Sequence, residues 1–208
     1  MEQSNQGPVE EKETGRIEAF SDGVFAIALT LLVLDIQVPQ NLPSGTRLID
    51  ALLKQWPAYV AYVTSFATIS IMWINHHRLF KLIKRSDHLL MVFNSMLLLG
   101  VTFVPFPTAL LADYFGQPDE RVAAVIYSGT SIVIAVLFNV LWRYASYHNR
   151  LLDRQSTPVA IEAINRSYVA GPLLYSLAFV LAFFSVAASL VIIIGLALFF
   201  ALPPRGSR

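Results

Sequence analysis

Long apolar runs separated by short polar segments dominate the chain from about residue 17 onward. A helix needs about twenty apolar residues to cross the hydrocarbon core of a bilayer. Four runs have that length, and a fifth is long enough for two shorter spans joined by a turn near Ser185. The pattern predicts six transmembrane helices, over about Ile17–Ile36, Ala51–Asn75, Leu89–Ala112, Val122–Trp142 and the two halves of Tyr168–Ala201.

Composition supports this interpretation. Of the 208 residues, 55% are hydrophobic and 14% are charged, and the mean hydropathy is +0.57. We therefore predict an all-α integral membrane protein with a transmembrane domain over residues 16–202 and a short tail over residues 203–208. Residues 1–15 are polar and acidic, unlike a cleaved signal peptide, and we expect a disordered tail there and a retained first span.

Basic residues predict the orientation of the spans, because lysine and arginine are retained on the cytoplasmic side of a membrane. With six spans, twelve of the fifteen basic residues fall on one side. The exceptions are Arg47, Lys54 and Arg121. We expect a multi-pass protein of the cell membrane with both termini in the cytoplasm and lipid around it.

Asp22 is the most unusual residue of the first predicted span. It lies about 7 Å inside that span at a rise of 1.5 Å per residue, where a carboxylate is costly unless it faces protein or water. Trp73 and His77 are four residues apart and share a face at the same end of the second span. His77 could donate a hydrogen bond to Asp22 or Ser21, or its ring could lie in the headgroup layer beside Arg78.

Helical periodicity gives the first span a second feature. Gly23, Ile27, Thr30, Leu31 and Leu34 share one face, and Asp22 points about 140° away from Ile27. If this face lines something, Asp22 supports the lining and is not part of it. Because the helix is apolar all round, periodicity alone does not distinguish a pore lining from packing against lipid or another helix.

Signatures of soluble enzymes are absent from the sequence. It contains no phosphate-binding loop, no dinucleotide-binding glycine pattern and no Gly-x-Ser-x-Gly turn. His76 and His77 are adjacent, so they point about 100° apart on a helix and cannot hold one metal ion together as an i, i+4 pair would. We expect no enzymatic activity, no cofactor, no metal site and no nucleic-acid partner.

Several motifs together resemble one family. The segment Arg16-x-x-x-Phe20-Ser-Asp-Gly-Val-Phe-Ala-Ile27, continued by 30–34, is similar to the first helix of the transmembrane protein 175 family, the endosomal and lysosomal potassium channel and its prokaryotic homologues. The similarity extends to Trp73, His77, Phe80, Asn94 and the segment 103–107. The six-span layout fits the prokaryotic members, which carry one repeat per chain.

This resemblance implies a potassium-permeable, leak-like cation channel with modest preference for potassium over sodium. Four chains would form a homotetramer whose pore is lined by the first helix. Ile27, Leu31 and Leu34 would constrict it, and Thr30 would add a hydroxyl ring for selectivity, with K⁺ passing near Ile27 and Thr30. The interhelical polar network would comprise Arg16, Ser21, Asp22, Trp73 and His77.

Two other classes stay open. A proton-coupled secondary transporter would use Asp22 and His77 as groups that titrate during transport. A membrane scaffold would conduct no ions. The Thr-Val-Gly-Tyr-Gly filter of ordinary potassium channels is absent, as the resemblance implies.

Overall fold

Helices account for most of residues 7–40, 42–153 and 157–201, which the computed structural model describes and which contain no β-strand. The prediction of an all-α protein is confirmed. The α-helices are α1 (Gly7–Leu31), α2 (Leu48–Lys54), α3 (Trp56–Leu82), α4 (His88–Phe103), α5 (Pro105–Tyr114), α6 (Glu120–Ser146), α7 (Pro158–Ala182) and α8 (Val186–Ala201). Short 3₁₀ helices extend α1 over Leu32–Asp35 and α6 over Tyr147–Asn149.

Four helical segments of the described residues are long and apolar enough to cross a membrane. They are Thr14–Asp35, Trp56–Leu82, His88–Tyr114 and Glu120–Asn149, and they correspond to the first four predicted spans. The apolar helix α8 is shorter than these. The count of six spans stays a prediction.

Several predicted boundaries need correction. The helix α1 begins at Gly7, so part of the tail expected over residues 1–15 is helical. Residues 1–6 and 202–208 lie outside the described residues. The second span begins later than Ala51, because α2 is a separate short helix and Pro57 occupies the first turn of α3, where a missing N–H costs nothing.

The turn expected near Ser185 is confirmed, and it joins α7 to α8. The Ser185 hydroxyl accepts a hydrogen bond from the Ala188 amide at 3.3 Å. A serine that accepts from the third residue after it caps the free amides at the start of a helix. The short polar side chain thus explains why the long apolar run divides here.

The third predicted span is one apolar run but two helices. Pro105 and Pro107 have no N–H to continue the backbone ladder, and α4 accordingly ends before Val104. The Thr108 hydroxyl donates to the Val104 carbonyl at 2.8 Å. That hydroxyl therefore accepts from Ser65 at 2.8 Å, and Ser65 accepts from the Tyr127 hydroxyl at 3.1 Å. This buried chain ties the break to α3 and α6.

Two hydrophobic clusters form the interior. The first joins α1, α3, α4 and α6 around residues such as Phe25, Leu97 and Trp142. The second joins α5, α6, α7 and α8 around residues such as Tyr127, Ala178 and Ile193. Since α1 contributes only to the first cluster, one of its faces packs inward and the other is left uncovered by its own chain.

Two loops are joined at the end of the bundle where α3 ends and α4 begins. The Lys84 amide donates to the Leu151 carbonyl at 2.9 Å, next to an antiparallel bridge between Ile83 and Leu152. Asp87 caps α4 by accepting from the Leu90 amide at 2.8 Å. Its other oxygen accepts from the Tyr144 hydroxyl at 2.6 Å and from Arg150 at 2.9 Å.

These contacts shift the pKa of Asp87. Partial burial alone would raise the pKa, but the hydrogen bonds from Tyr144 and Leu90 and the charge of Arg150 outweigh burial and lower it below its usual range. A carboxyl group whose pKa is lower in the folded state stabilises the fold above about pH 4, its unfolded value. The stabilisation is lost as the pH falls through the folded pKa.

We predict that Asp87→Asn reduces the acid sensitivity of the fold. Asparagine keeps one oxygen, which can cap the helix by accepting from the Leu90 amide, and its amide NH2 can donate to the Tyr144 hydroxyl, so the substitution mainly removes the charge and its pairing with Arg150. The thermal unfolding midpoint of the purified protein should fall between pH 5 and pH 3 more steeply in the parent than in Asp87→Asn. The exposed loop variant Asp119→Asn is the control and should follow the parent. Equal slopes for parent and Asp87→Asn would contradict the assignment.

Candidate functional site: the free face of α1 and its supports

The helix α1 has a buried face and an exposed face. Ser21, Phe25, Ala28 and Leu32 are almost completely buried against the bundle. On the other side the side chains are exposed by 58% at Ile27, 40% at Leu31 and 71% at Leu34, and Gly23 and Thr30 are exposed as well. The residues that periodicity placed on one face are therefore all left exposed by their own chain, and the exposure extends beyond this face to Val33.

Thr30 is the polar residue of this face. Its hydroxyl donates to the Ile27 carbonyl at 2.9 Å, within its own helix. A threonine hydroxyl has one proton and two lone pairs. With the proton used along the helix, the exposed oxygen presents acceptor character, which suits a cation.

Asp22 is held from the side by α3. The Trp73 indole N–H donates to its carboxylate at 2.8 Å. Trp73 also stacks on the His77 ring, with a centroid distance of 6.2 Å and an interplanar angle of 20°. The carboxylate thus has the protein partner that a charge at this depth requires.

His77 has a different partner from the two that the sequence suggested. Its Nδ1 atom bonds to the carboxylate of Glu18, not to Asp22 or Ser21. Glu18 lies four residues before Asp22 and so shares its helix face. Glu18 is nearer than Asp22 to the end of α1 where His77 lies, which explains why His77 bonds to Glu18.

A buried chain of hydrogen bonds joins α1 to α4 and α3. The Ser21 hydroxyl donates to the Ile17 carbonyl at 2.8 Å and accepts from the Asn94 amide at 3.0 Å. The Asn94 oxygen then accepts from His76 Nε2 at 2.9 Å. Ser21, Asn94 and His76 are each at most 2% exposed, so each depends on the others for hydrogen bonds.

Sequence reasoning missed the role of His76 in this chain. It considered His76 only as a metal ligand, and it used Asn94 only for the resemblance. The ring of His76 stacks on Phe80 with a centroid distance of 4.5 Å and lies 5.4 Å from the ring of Phe25. A histidine and an asparagine within apolar runs were a usable signal, because such groups need partners on other helices.

Arg16 takes no part in these contacts. Its side chain is exposed, and it makes no hydrogen bond or ion pair with another described residue. The described part of the chain also contains no group of three or more histidine, aspartate or glutamate residues that could hold a metal ion. The arrangement is thus an apolar face with one hydroxyl, supported from behind by polar ties.

Comparisons with known proteins give this arrangement its context. The family model described as endosomal/lysosomal potassium channel TMEM175 matches residues 16–105. A protein named a potassium channel from Chamaesiphon minutus is 52% identical over 93% of this chain and 96% of its own length. Another so named, from Streptomyces collinus, is 46% identical over 83% and 84%.

The fold agrees with a solved structure. The crystal structure of a lysosomal potassium-selective channel TMEM175 homolog from Chamaesiphon minutus superposes with a TM-score of 0.84 and 49% identity, covering 94% of this chain and all of that one. The matched segment 16–105 contains α1 from Arg16 onward and every residue of the ties described above. Sequence, fold and site geometry thus lead to the same conclusion: the chain belongs to the TMEM175 family.

Proposed function

We propose that this protein is a potassium-permeable channel in which four copies of the chain surround a pore lined by α1. The observation that carries the proposal is the exposed face of Ile27, Leu31 and Leu34, which the rest of the chain leaves uncovered. In a central pore between identical chains, such a face would border a water-filled path. The relatives named potassium channels support potassium as the permeant ion.

The constriction consists of the side chains of Ile27, Leu31 and Leu34. Successive members are three or four residues apart, so about 5–6 Å separates one ring of four from the next along the axis. A narrow apolar ring excludes water, and a small change in its radius admits it. The channel therefore needs no charged group facing the ion in order to close.

Thr30 contributes the preference for potassium over sodium. Four hydroxyl oxygens whose protons are bonded along the helix would replace part of the hydration shell of a passing cation. One such ring is weaker than a stack of carbonyl rings. A leak-like channel with modest preference for potassium over sodium follows.

The ties behind α1 hold the lining at a fixed rotation. Trp73 and His77 bind Asp22 and Glu18, and Ser21 joins the buried chain. Arg16 belongs to the same network in this proposal, and its partner is on a neighbouring copy because it makes no hydrogen bond or ion pair with the described residues of its own chain. None of these groups has to change its protonation state for ions to pass.

Ion flux through liposomes tests the proposal directly. Purified protein reconstituted in vesicles should pass K⁺ down its electrochemical gradient without any proton gradient. Flux that requires proton movement would favour a transporter that uses Asp22 and His77. Absence of flux from a folded, tetrameric sample would favour a scaffold.

The topology in the cell membrane follows from the distribution of basic residues. Six spans place both termini in the cytoplasm. A cysteine introduced at Ser4 or at Ser207 should react with a membrane-impermeant thiol reagent only after the cells are opened. The chain has no native cysteine to interfere. Reaction of Ser207→Cys in intact cells would contradict the six-span topology and point to α7 and α8.

Loss of the Asp22 tie should harm assembly more than ion preference. Asp22→Ala removes the acceptor of the Trp73 indole, and Trp73→Phe removes the donor of the same bond. Each should lower the yield of tetramer on size exclusion, and the double variant should cost little more than either single one, because all three lack one interaction. The control Asp119→Ala alters an exposed acid outside the helix bundle. Normal assembly of Asp22→Ala with altered selectivity would place this carboxylate beside the ion.

Substitutions on the exposed face should change conduction and leave the tetramer intact. Ile27→Asn should hydrate the narrow ring, raising conductance and weakening the preference for potassium. Thr30→Val removes only the hydroxyl and should shift the bi-ionic reversal potential toward equal permeability. The control is Val33→Asn, an exposed residue about 120° from Ile27 on the helix. If both variants of the face conduct like the parent while assembling normally, α1 does not line the pore.

A further inference from the structure

A groove between α3, α6, α7 and α8 lies away from the exposed face of α1. It is partly open, and its empty space, counted out into the surroundings, is about 520 Å³. Its walls include Ile71 and Met72 of α3, Ala135 and Phe138 of α6 and Phe200 of α8. The lining on α3 runs from Thr68 to Asn75, about 10 Å along the helix axis.

Two residues of α7 shape the groove. Gly171 lies against α8, where a Cβ atom would be in van der Waals contact with the Phe200 ring at 3.4 Å. Pro172 has no N–H for the Tyr168 carbonyl, and the Asn139 amide of α6 donates to that carbonyl instead. Helix α7 therefore continues past Pro172 and forms one wall of the groove.

The polar rim of the groove lies at one end. Arg78 Nη1 is 3.4 Å from the Asn75 side-chain oxygen and 3.5 Å from the Phe200 carbonyl, and both Asn75 and Phe200 line the groove. The guanidinium thus lies at the mouth with its positive charge. This end is the one where α3 and α8 end and α7 begins. The described basic residues in the last turns of α3 and α6, or in the loops after them, are Lys81, Lys84, Arg85, Arg143 and Arg150.

We propose that the groove binds an acidic phospholipid, with one acyl chain between the helices and the phosphate at Arg78. Two helices of the groove, α3 and α6, are long and apolar enough to cross a membrane. An apolar groove beside them is in contact with hydrocarbon, so an acyl chain is its natural occupant. Arginine pairs with phosphate through several N–H donors at once. The Asn75 amide lies beside it, where it can donate to a lipid ester carbonyl.

The selectivity for an acidic head follows from the charge of Arg78. A zwitterionic head carries its own ammonium group beside the phosphate, which repels a guanidinium. A head without that ammonium keeps the full attraction. Basic pockets between transmembrane helices on the cytoplasmic side commonly recognise acidic heads in this way.

Native mass spectrometry of the purified protein tests the proposal. Samples equilibrated with equal amounts of phosphatidylglycerol and phosphatidylcholine should retain phosphatidylglycerol about tenfold better, the ratio expected for one hydrogen-bonded charge pair. Arg78→Gln should bring the two lipids close to parity. The matched control is Lys81→Gln, an exposed cation one turn away on α3, and it should keep the parent preference.

A second pair of variants tests the acyl chain. Ala135→Phe fills the groove and should abolish retention of both lipids, whereas Val133→Phe alters an exposed position of the same helix and should retain them. Gel filtration and helical content verify that each variant folds. Loss of the lipid preference in both Arg78→Gln and Lys81→Gln, or unchanged retention in Ala135→Phe, would overturn the proposal. Since no readout involves ion flux, its failure is separate from failure of the proposed channel function.

Discussion

Every polar group at membrane depth has to find its hydrogen bonds inside the protein, and the rest of this structure depends on that constraint. Two buried chains meet it. Ser21, Asn94 and His76 join α1, α4 and α3, while Tyr127, Ser65 and Thr108 join α6, α3 and α5. In both, α3 supplies one member. This helix therefore holds two regions of the bundle at fixed depth and rotation.

The same constraint gives α1 its asymmetry. Its polar side chains Ser21, Asp22 and Glu18 all bond to α3 or α4, so the opposite face is left with apolar residues and Thr30. Apolar packing alone would allow α1 to rotate about its axis at little cost, because it is apolar on every side. Directional bonds on one side remove that freedom. The proposed pore lining is thus positioned by residues that do not take part in it.

A proline inside this bundle is accommodated by a side-chain hydrogen bond as well. Pro172 has no N–H for the Tyr168 carbonyl, and the Asn139 amide donates to that carbonyl instead. Helix α7 therefore continues through Pro172. At Pro105 the apolar run divides into α4 and α5, and the Thr108 hydroxyl, which donates to the Val104 carbonyl, ties this point to Ser65 of α3.

The sequence by itself determined the helical class, the apolar spans and the set of residues that share a face with Ile27. These follow from local rules, because spacing along one helix is enough to say which side chains point together. It also carried the family signature, since most of those motif residues lie within α1 and α3. Pro105 and Pro107 were visible too, although the run around them was interpreted as one helix.

Only the tertiary structure decided which residues bond between helices. His77 shares a face with Trp73, yet its partner is Glu18, and His76, next to it, joins the buried chain to Asn94. These pairings depend on the depth and rotation of one helix against another. Packing of the whole bundle sets depth and rotation, and no spacing within a single helix encodes them.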